Sequence, residues 1–212
     1  MDDYRKPGII KDLEEQLSKQ RAVELWDLGV IDTFEVGTFH GLQQVHEYLF
    51  QDVFIAPGVI RNVDLAKGNF RFASCLYLAE SIPVVERMPE ETFEDIIAKY
   101  VEMNILHPFR EGNGRSGRIW LDGMLKKNLG LCVNWSLVEK EAYLLAMERS
   151  PVNSLELQVL LRSALTDRID HEHGDAITRH LNGCTRTIAL ALQSMAAHLD
   201  TGRELPRLAA DG

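Results

Sequence analysis

A mainly helical domain carrying one small β-hairpin is the fold this 212-residue sequence predicts, and three features predict it. Apolar residues recur at three- and four-residue steps through most segments. A single place alternates instead, around Lys67-Gly68-Asn69. No repeat, low-complexity tract or Pro-rich linker divides the chain.

Taken in order, the hairpin comes first. Val63 and Leu65, then the Gly68-Asn69 turn, then Phe70 and Phe72 make two short alternating runs within residues 63–73. After Pro89 and two glutamates, Phe93, Ile96, Ile97, Tyr100, Val101 and Ile105 mark one face of a core helix. That helix must end near His107, because Pro108 pushes the preceding residue out of the right-handed helical region. A second helix starts near Arg115, carries Ile119, Trp120, Leu121, Met124 and Leu125, and stops at Gly130. Ser136 with Glu139, and Asn153 with Glu156, have capping-box spacing and precede apolar stripes over 143–147 and 157–165. Beyond Thr166 the texture changes to a polar, His-containing run and then an apolar stripe from Ile188 to Leu199. Residues 1–165 therefore read as one domain, and 166–212 as a C-terminal helical extension.

Composition narrows the function. The 23 Lys+Arg against 32 Asp+Glu give a formal charge of −9, which disfavours a general nucleic-acid or anionic-membrane binder. Phosphate contacts must be local. The cysteines Cys75, Cys132 and Cys184 form an odd set without CxxC spacing, as free thiols in a reducing compartment do. The N-terminus lacks a signal-peptide core, and the uncharged stretch Thr187–Leu199 falls short of the ~20 residues that span a bilayer. A cytoplasmic protein is the expectation.

Chemistry concentrates in His107-Pro108-Phe109-Arg110-Glu111-Gly112-Asn113-Gly114-Arg115-Ser116-Gly117-Arg118. The Gly-Asn-Gly turn sits on the positive end of a helix, where free N–H groups bind anions. Arg115 and Arg118, three apart, are placed to reach the same anion. His107 is a proton acceptor at neutral pH, and Glu111 is a hard oxygen ligand for Mg²⁺. Base, metal ligand, anion nest and paired arginines are the parts of phosphoryl-group transfer. His40, His46, His171, His173, His180 and His198 read as structural.

This run resembles the signature of Fic-domain proteins, His-Pro-Phe-x-[Asp/Glu]-Gly-Asn-Gly-Arg-x-x-Arg, at every specified position. The resemblance extends over roughly Thr38 to Leu165 and includes the Gln43–Phe50 segment. Lys67, Gly68, Asn69, Phe70 and Arg71 match the family's flap, which lines up a target segment. The resemblance implies a toxin-like bacterial adenylyltransferase that moves AMP from ATP to a Ser, Thr or Tyr hydroxyl of a target protein and releases pyrophosphate. It makes His107 the base and Glu111 the Mg²⁺ ligand. Gly112, Asn113 and Gly114 would steady the α-phosphate, while Arg115 and Arg118 would hold the β- and γ-phosphates. Phe109 would anchor the loop. Gly114 stands where related Doc-type kinases carry Lys, which favours nucleotidyl transfer over the alternative of a kinase or an AMP-removing enzyme. The family's inhibitory helix, [Ser/Thr]-x-x-x-Glu-[Gly/Asn], has no counterpart, since the one Glu-Gly pair is Glu111-Gly112 and no Glu-Asn pair occurs. An inhibitory, antitoxin-like partner in trans is therefore expected, and the apolar tail permits a homo-oligomer.

Overall fold

The computed structural model describes residues 4–67 and 70–167. Helix α5 (Asn113–Leu129) is its axis. Its residues from Ser116 to Asp122, with Met124 and Leu125, are all buried, so the helix is covered on every side rather than on one stripe. Its neighbours are α4 (Phe93–Leu106) and α2 (Phe39–Phe50). The approach to α4 is close, since a Cβ on Gly117 would lie 3.4 Å from the Tyr100 ring.

Each neighbour has a local reason to be helical. Thr92 and Asp95 form a reciprocal capping box at the start of α4. Thr38 caps α2 by accepting from the Gly41 amide at 2.9 Å, and its carbonyl accepts from Trp120 Nε1 at 3.0 Å, which ties that cap to α5. Helix α1 (Lys11–Asp27) lies on α2. It carries little apolar periodicity but buries Ala22 and Leu25, and Asp12 and Glu14 favour its first turn. Helix α3 (Leu78–Glu86) packs on α4, and α6 (Lys140–Arg149) on α7 (Leu155–Arg162). The buried Asp122 carboxylate accepts from Val133 N at 2.9 Å and Trp135 Nε1 at 2.6 Å, fastening the segment after α5 back onto it.

The expected hairpin is present but short. Strand β1 (Ala66–Lys67) pairs antiparallel with β2 (Phe70–Arg71), in the register Ala66↔Arg71 and Lys67↔Phe70. Gly68 and Asn69, the turn itself, lie outside the described residues. A second antiparallel pair was not expected: β3 (Cys132–Val133) with β4 (Leu165–Thr166). Two-residue strands leave no alternating pattern to read, and Cys132 and Val133 are both buried. This pairing carries the domain through Thr166, one residue beyond the boundary read from texture.

Two caps differ from expectation. Ser136 lies in a 3-10 turn (Trp135–Leu137), and α6 is capped by Glu139 itself, whose carboxylate accepts from Glu141 N and Ala142 N. The acid already occupies the capping position, so the serine has no helix to cap. Asn153 does accept from Leu155 N, but Ser154 is the residue before α7. Cys75 is a free thiol, and the Cys132 thiol donates to Thr166 O at 3.8 Å; Cys184 and the tail from 168 onward lie outside the described residues. No helix among the described residues is long and apolar enough to cross a membrane. A cleft of about 300 Å³ flanks the middle and end of α5, lined by Ile31, Phe34, Val45, Ile119, Trp120 and Lys126, away from the helix start where the motif lies.

Candidate active site

The motif loop is built around two backbone reversals. His107 caps α4 in the left-handed region (φ 48°, ψ 59°), the one non-glycine residue with positive φ among the described residues. Its amide still closes the last helical turn on Met103 O at 3.0 Å. Gly112, at φ 86°, caps α5. A Cβ there would meet Phe50 Cε2 at 2.5 Å and His46 Nε2 at 3.0 Å, so both dihedral and space demand glycine.

Between the reversals the loop is pinned from inside. Phe109 is 1% exposed, with its ring centroid 4.0 Å from that of His46. The Asn113 side chain accepts from Phe109 N at 2.8 Å and donates to Phe109 O at 2.7 Å. That amide's oxygen and one of its two N–H groups are thus engaged in closing the turn, and the backbone N–H groups of Asn113 and Gly114 remain as donors for an anion. Both are first-turn residues of α5, whose N–H groups have no acceptor within the helix.

His46 is a structural pin that sequence reasoning did not connect to the loop. Its Nδ1 accepts from Gly58 N at 2.9 Å, so its Nε2–H donates to Glu111 O, also at 2.9 Å. Burial pushes its pKa down to about 4 against the pull of the Glu111 carbonyl, with nearby Arg115 lowering it further. The ring is neutral at physiological pH.

The two arginines part company. Arg115 turns toward α1, donating to Ser18 Oγ at 2.8 Å and pairing with the buried Glu14 carboxylate at 2.5 Å. Glu14 also pairs with Arg5 at 2.7 Å. Arg118 is 4% exposed and lies 5.7 Å from the ring centroids of Trp135 and Tyr143. A Cβ on Gly114 would stand 3.7 Å from Arg118 Nη1, so this guanidinium reaches back to the start of α5. Arg118 thus lies beside the start of α5, and Arg115 is turned to α1. Three residues apart they are 60° apart around the helix, and α1 supplies a carboxylate to one of them. Glu14 and Ser18, in a charged segment without pattern, gave no sequence signal.

His107 presents its ring to the flap, stacked on Phe72 with centroids 3.7 Å apart and planes at 17°. Its Nδ1 is buried without a hydrogen bond. Burial is the main cause that pushes its pKa down to about 3; the Asn104 carbonyl raises it, while Lys67 and Arg61 lower it. Glu111 is exposed beside the nest, and its Oε1 accepts from Gly112 N at 3.0 Å. No cluster of three or more His, Cys, Asp or Glu among the described residues is placed to hold a metal. A lone carboxylate suits Mg²⁺ that arrives on nucleotide phosphates, which supply the other oxygens. Of the flap residues, Lys67 and Arg71 are exposed, and Phe70 packs edge-on to Phe72 at 5.1 Å.

A histidine at the end of α4 and unpaired amides at the start of α5 frame the candidate site of this helical domain. Residues 38–125 match the Fic/DOC family. It is 28% identical over 193 residues to the probable protein adenylyltransferase Fic of Escherichia coli, an alignment covering 81% of this chain and 96% of that one. It is 27% identical over 201 residues to protein adenylyltransferase VbhT of Bartonella schoenbuchensis, covering 88% of this chain but 38% of that protein. Among solved structures it is similar in fold to BepC of Bartonella tribocorum with bound AMPPNP (TM-score 0.63, 17% identity, 76% of this chain and 91% of that one). A Fic domain from Bartonella quintana with bound ADP gives a TM-score of 0.65 at 18% identity, covering 76% and 89%.

Proposed function

We propose that this protein transfers AMP from ATP to a hydroxyl side chain of a target protein. The observation that carries the reading is the assembly of His107, the free amides of Asn113 and Gly114, Arg118 and the exposed Glu111 around one helix start. The names of the adenylyltransferase relatives support it. In the proposed step His107 takes the proton of a Ser, Thr or Tyr hydroxyl. The hydroxyl oxygen forms a bond to the α-phosphorus, the bond to the bridging oxygen breaks, and pyrophosphate leaves. Nδ1 is the buried nitrogen, so Nε2 is the one that takes the proton. The α5 amides steady charge on the α-phosphate, and Arg118 holds the outer phosphates. Arg115, already paired with Glu14, chiefly fixes the helix start to α1. Mg²⁺, when bound, neutralises phosphate charge; Glu111 is the residue that would hold it. Positioning supplies most of the rate.

Residues 1–166 form the catalytic domain in this reading, with 167–212 as an extension, and the flap at Lys67, Phe70 and Arg71 docks the target backbone. The lack of an inhibitory Glu-[Gly/Asn] helix in this sequence supports restraint by a separate antitoxin-like chain. Incubation of the protein and a cell lysate with ATP labelled at the α- or the γ-phosphate tests the chemistry. Label in acceptor protein from the α-position alone is expected; transfer from the γ-position would make the protein a kinase.

A further inference from the structure

We propose that Arg61 is a positioning residue that holds the target-docking flap and the base His107 in one frame, an inference that rests on the adenylyl-transfer reading. Arg61 is 4% exposed and binds three separate parts of the chain. Its Nε donates to His107 O at 2.7 Å, its Nη1 to Val63 O at 2.6 Å, and its Nη2 to Ala73 O and to Leu106 O, the latter at 3.0 Å. Its own amide donates to Pro108 O at 2.8 Å.

The acceptors make the case. Val63 and Ala73 are the two stems of the flap, one on each side of the β1–β2 pair. Leu106 and His107 close α4 and begin the motif. All four are carbonyls, so the charge is compensated by the partial negative end of α4, whose last C=O groups lack helical partners. A buried guanidinium held this way is costly unless its planar fork is filled. Here the fork is filled, and it holds the carbonyl of the residue whose left-handed backbone sets the catalytic ring. The flap returns the contact: Phe72, whose amide donates to Leu65 O at 3.2 Å, stacks on the His107 ring. One side chain therefore fixes both the surface that aligns the target hydroxyl and the imidazole that must reach it.

Lysine keeps the charge but loses the fork. In the full-length protein, Arg61→Lys should lower kcat for AMP transfer on the order of 100-fold, as a displacement of about 1 Å would, while KM for ATP stays within about threefold of wild type. The kcat is taken per ATP-binding site, because loss of folded protein alone also lowers apparent kcat at unchanged KM. A second readout needs no activity. From the stacked geometry, the His107 ring protons should carry an upfield NMR shift from the Phe72 ring in the nucleotide-free wild type, and this shift should be lost in Arg61→Lys while the His46 signals stay put. Near-wild-type kcat, or a retained His107 shift, overturns the proposal. Should Arg61→Lys not fold, Phe72→Leu replaces no group that Arg61 binds and removes the stacking on the His107 ring together with the edge contact to Phe70. The same fall in kcat at unchanged KM is then expected, and unchanged kcat overturns the idea. A wild type that transfers no AMP would count against the functional reading, and the ring shift would still decide the role of Arg61.

Discussion

His46 and His107 show how one residue type takes two roles through its surroundings. His46 is locked between two backbone groups and exists to shape the loop; His107 is held by its backbone and keeps one nitrogen for chemistry. Burial keeps both rings neutral, with pKa values pushed down to about 4 and about 3. In the unfolded chain each returns to its ordinary value near 6.5. Below pH 6.5 the unfolded state therefore binds more protons, and stability present above that pH is lost as pH falls toward 4. Each ring contributes at most about 1.4 kcal/mol per pH unit in that window. Urea unfolding midpoints should fall between pH 7 and pH 5, with the slope flattened in His46→Gln and in His107→Gln. A midpoint unchanged over that range would contradict the neutral, buried assignment.

At the scale of elements, the flap is two residues of pairing on each side, held at its stems by Arg61. A strand edge of this kind offers backbone groups for an added strand, and side-chain identity then counts for less than the ladder. Arg71→Pro should cripple transfer to a protein target and spare ATP binding, whereas Arg71→Ala, at an exposed position, should be mild. Equal losses from both, measured as initial rates on one acceptor, would argue against backbone docking. The flap, α4 and α5 were legible because their periods are long or their turn residues distinctive: Gly112 and Gly130 stand at left-handed positions, and Phe109 is in the core as its place in the motif implied. The β3–β4 pair, Glu139 as a cap and the α1 contact were not legible. The β3–β4 pair and the α1 contact depend on partners brought near by folding: Thr166 for Cys132, and Arg115 for Glu14 across 101 positions of sequence; the Glu139 cap is local, and the Ser136–Glu139 spacing placed the helix start one turn too early.

For the whole molecule, a charge of −9 disfavours long-range attraction of phosphate, so in the proposed reading nucleotide binding rests on the α5 amides and Arg118. That arrangement leaves the site open unless something covers it. If the restraint comes from a separate chain, truncation after Asp167, which keeps the β3–β4 pairing intact, should leave AMP transfer by the purified protein unchanged. A large rise in rate on truncation would place the restraint in the extension instead.

The account as a whole turns on His107 acting as the base. The most direct test is the rate at which α-labelled ATP marks acceptor protein with the His107→Ala variant, with ATP binding measured on the same sample. The ring touches no phosphate in the proposed geometry, so binding should stay within a few-fold of wild type while transfer falls below about 1%, beyond the 10²-fold lower bound of general-base catalysis. Transfer retained at more than a few per cent of wild type, with binding intact, would contradict the mechanism.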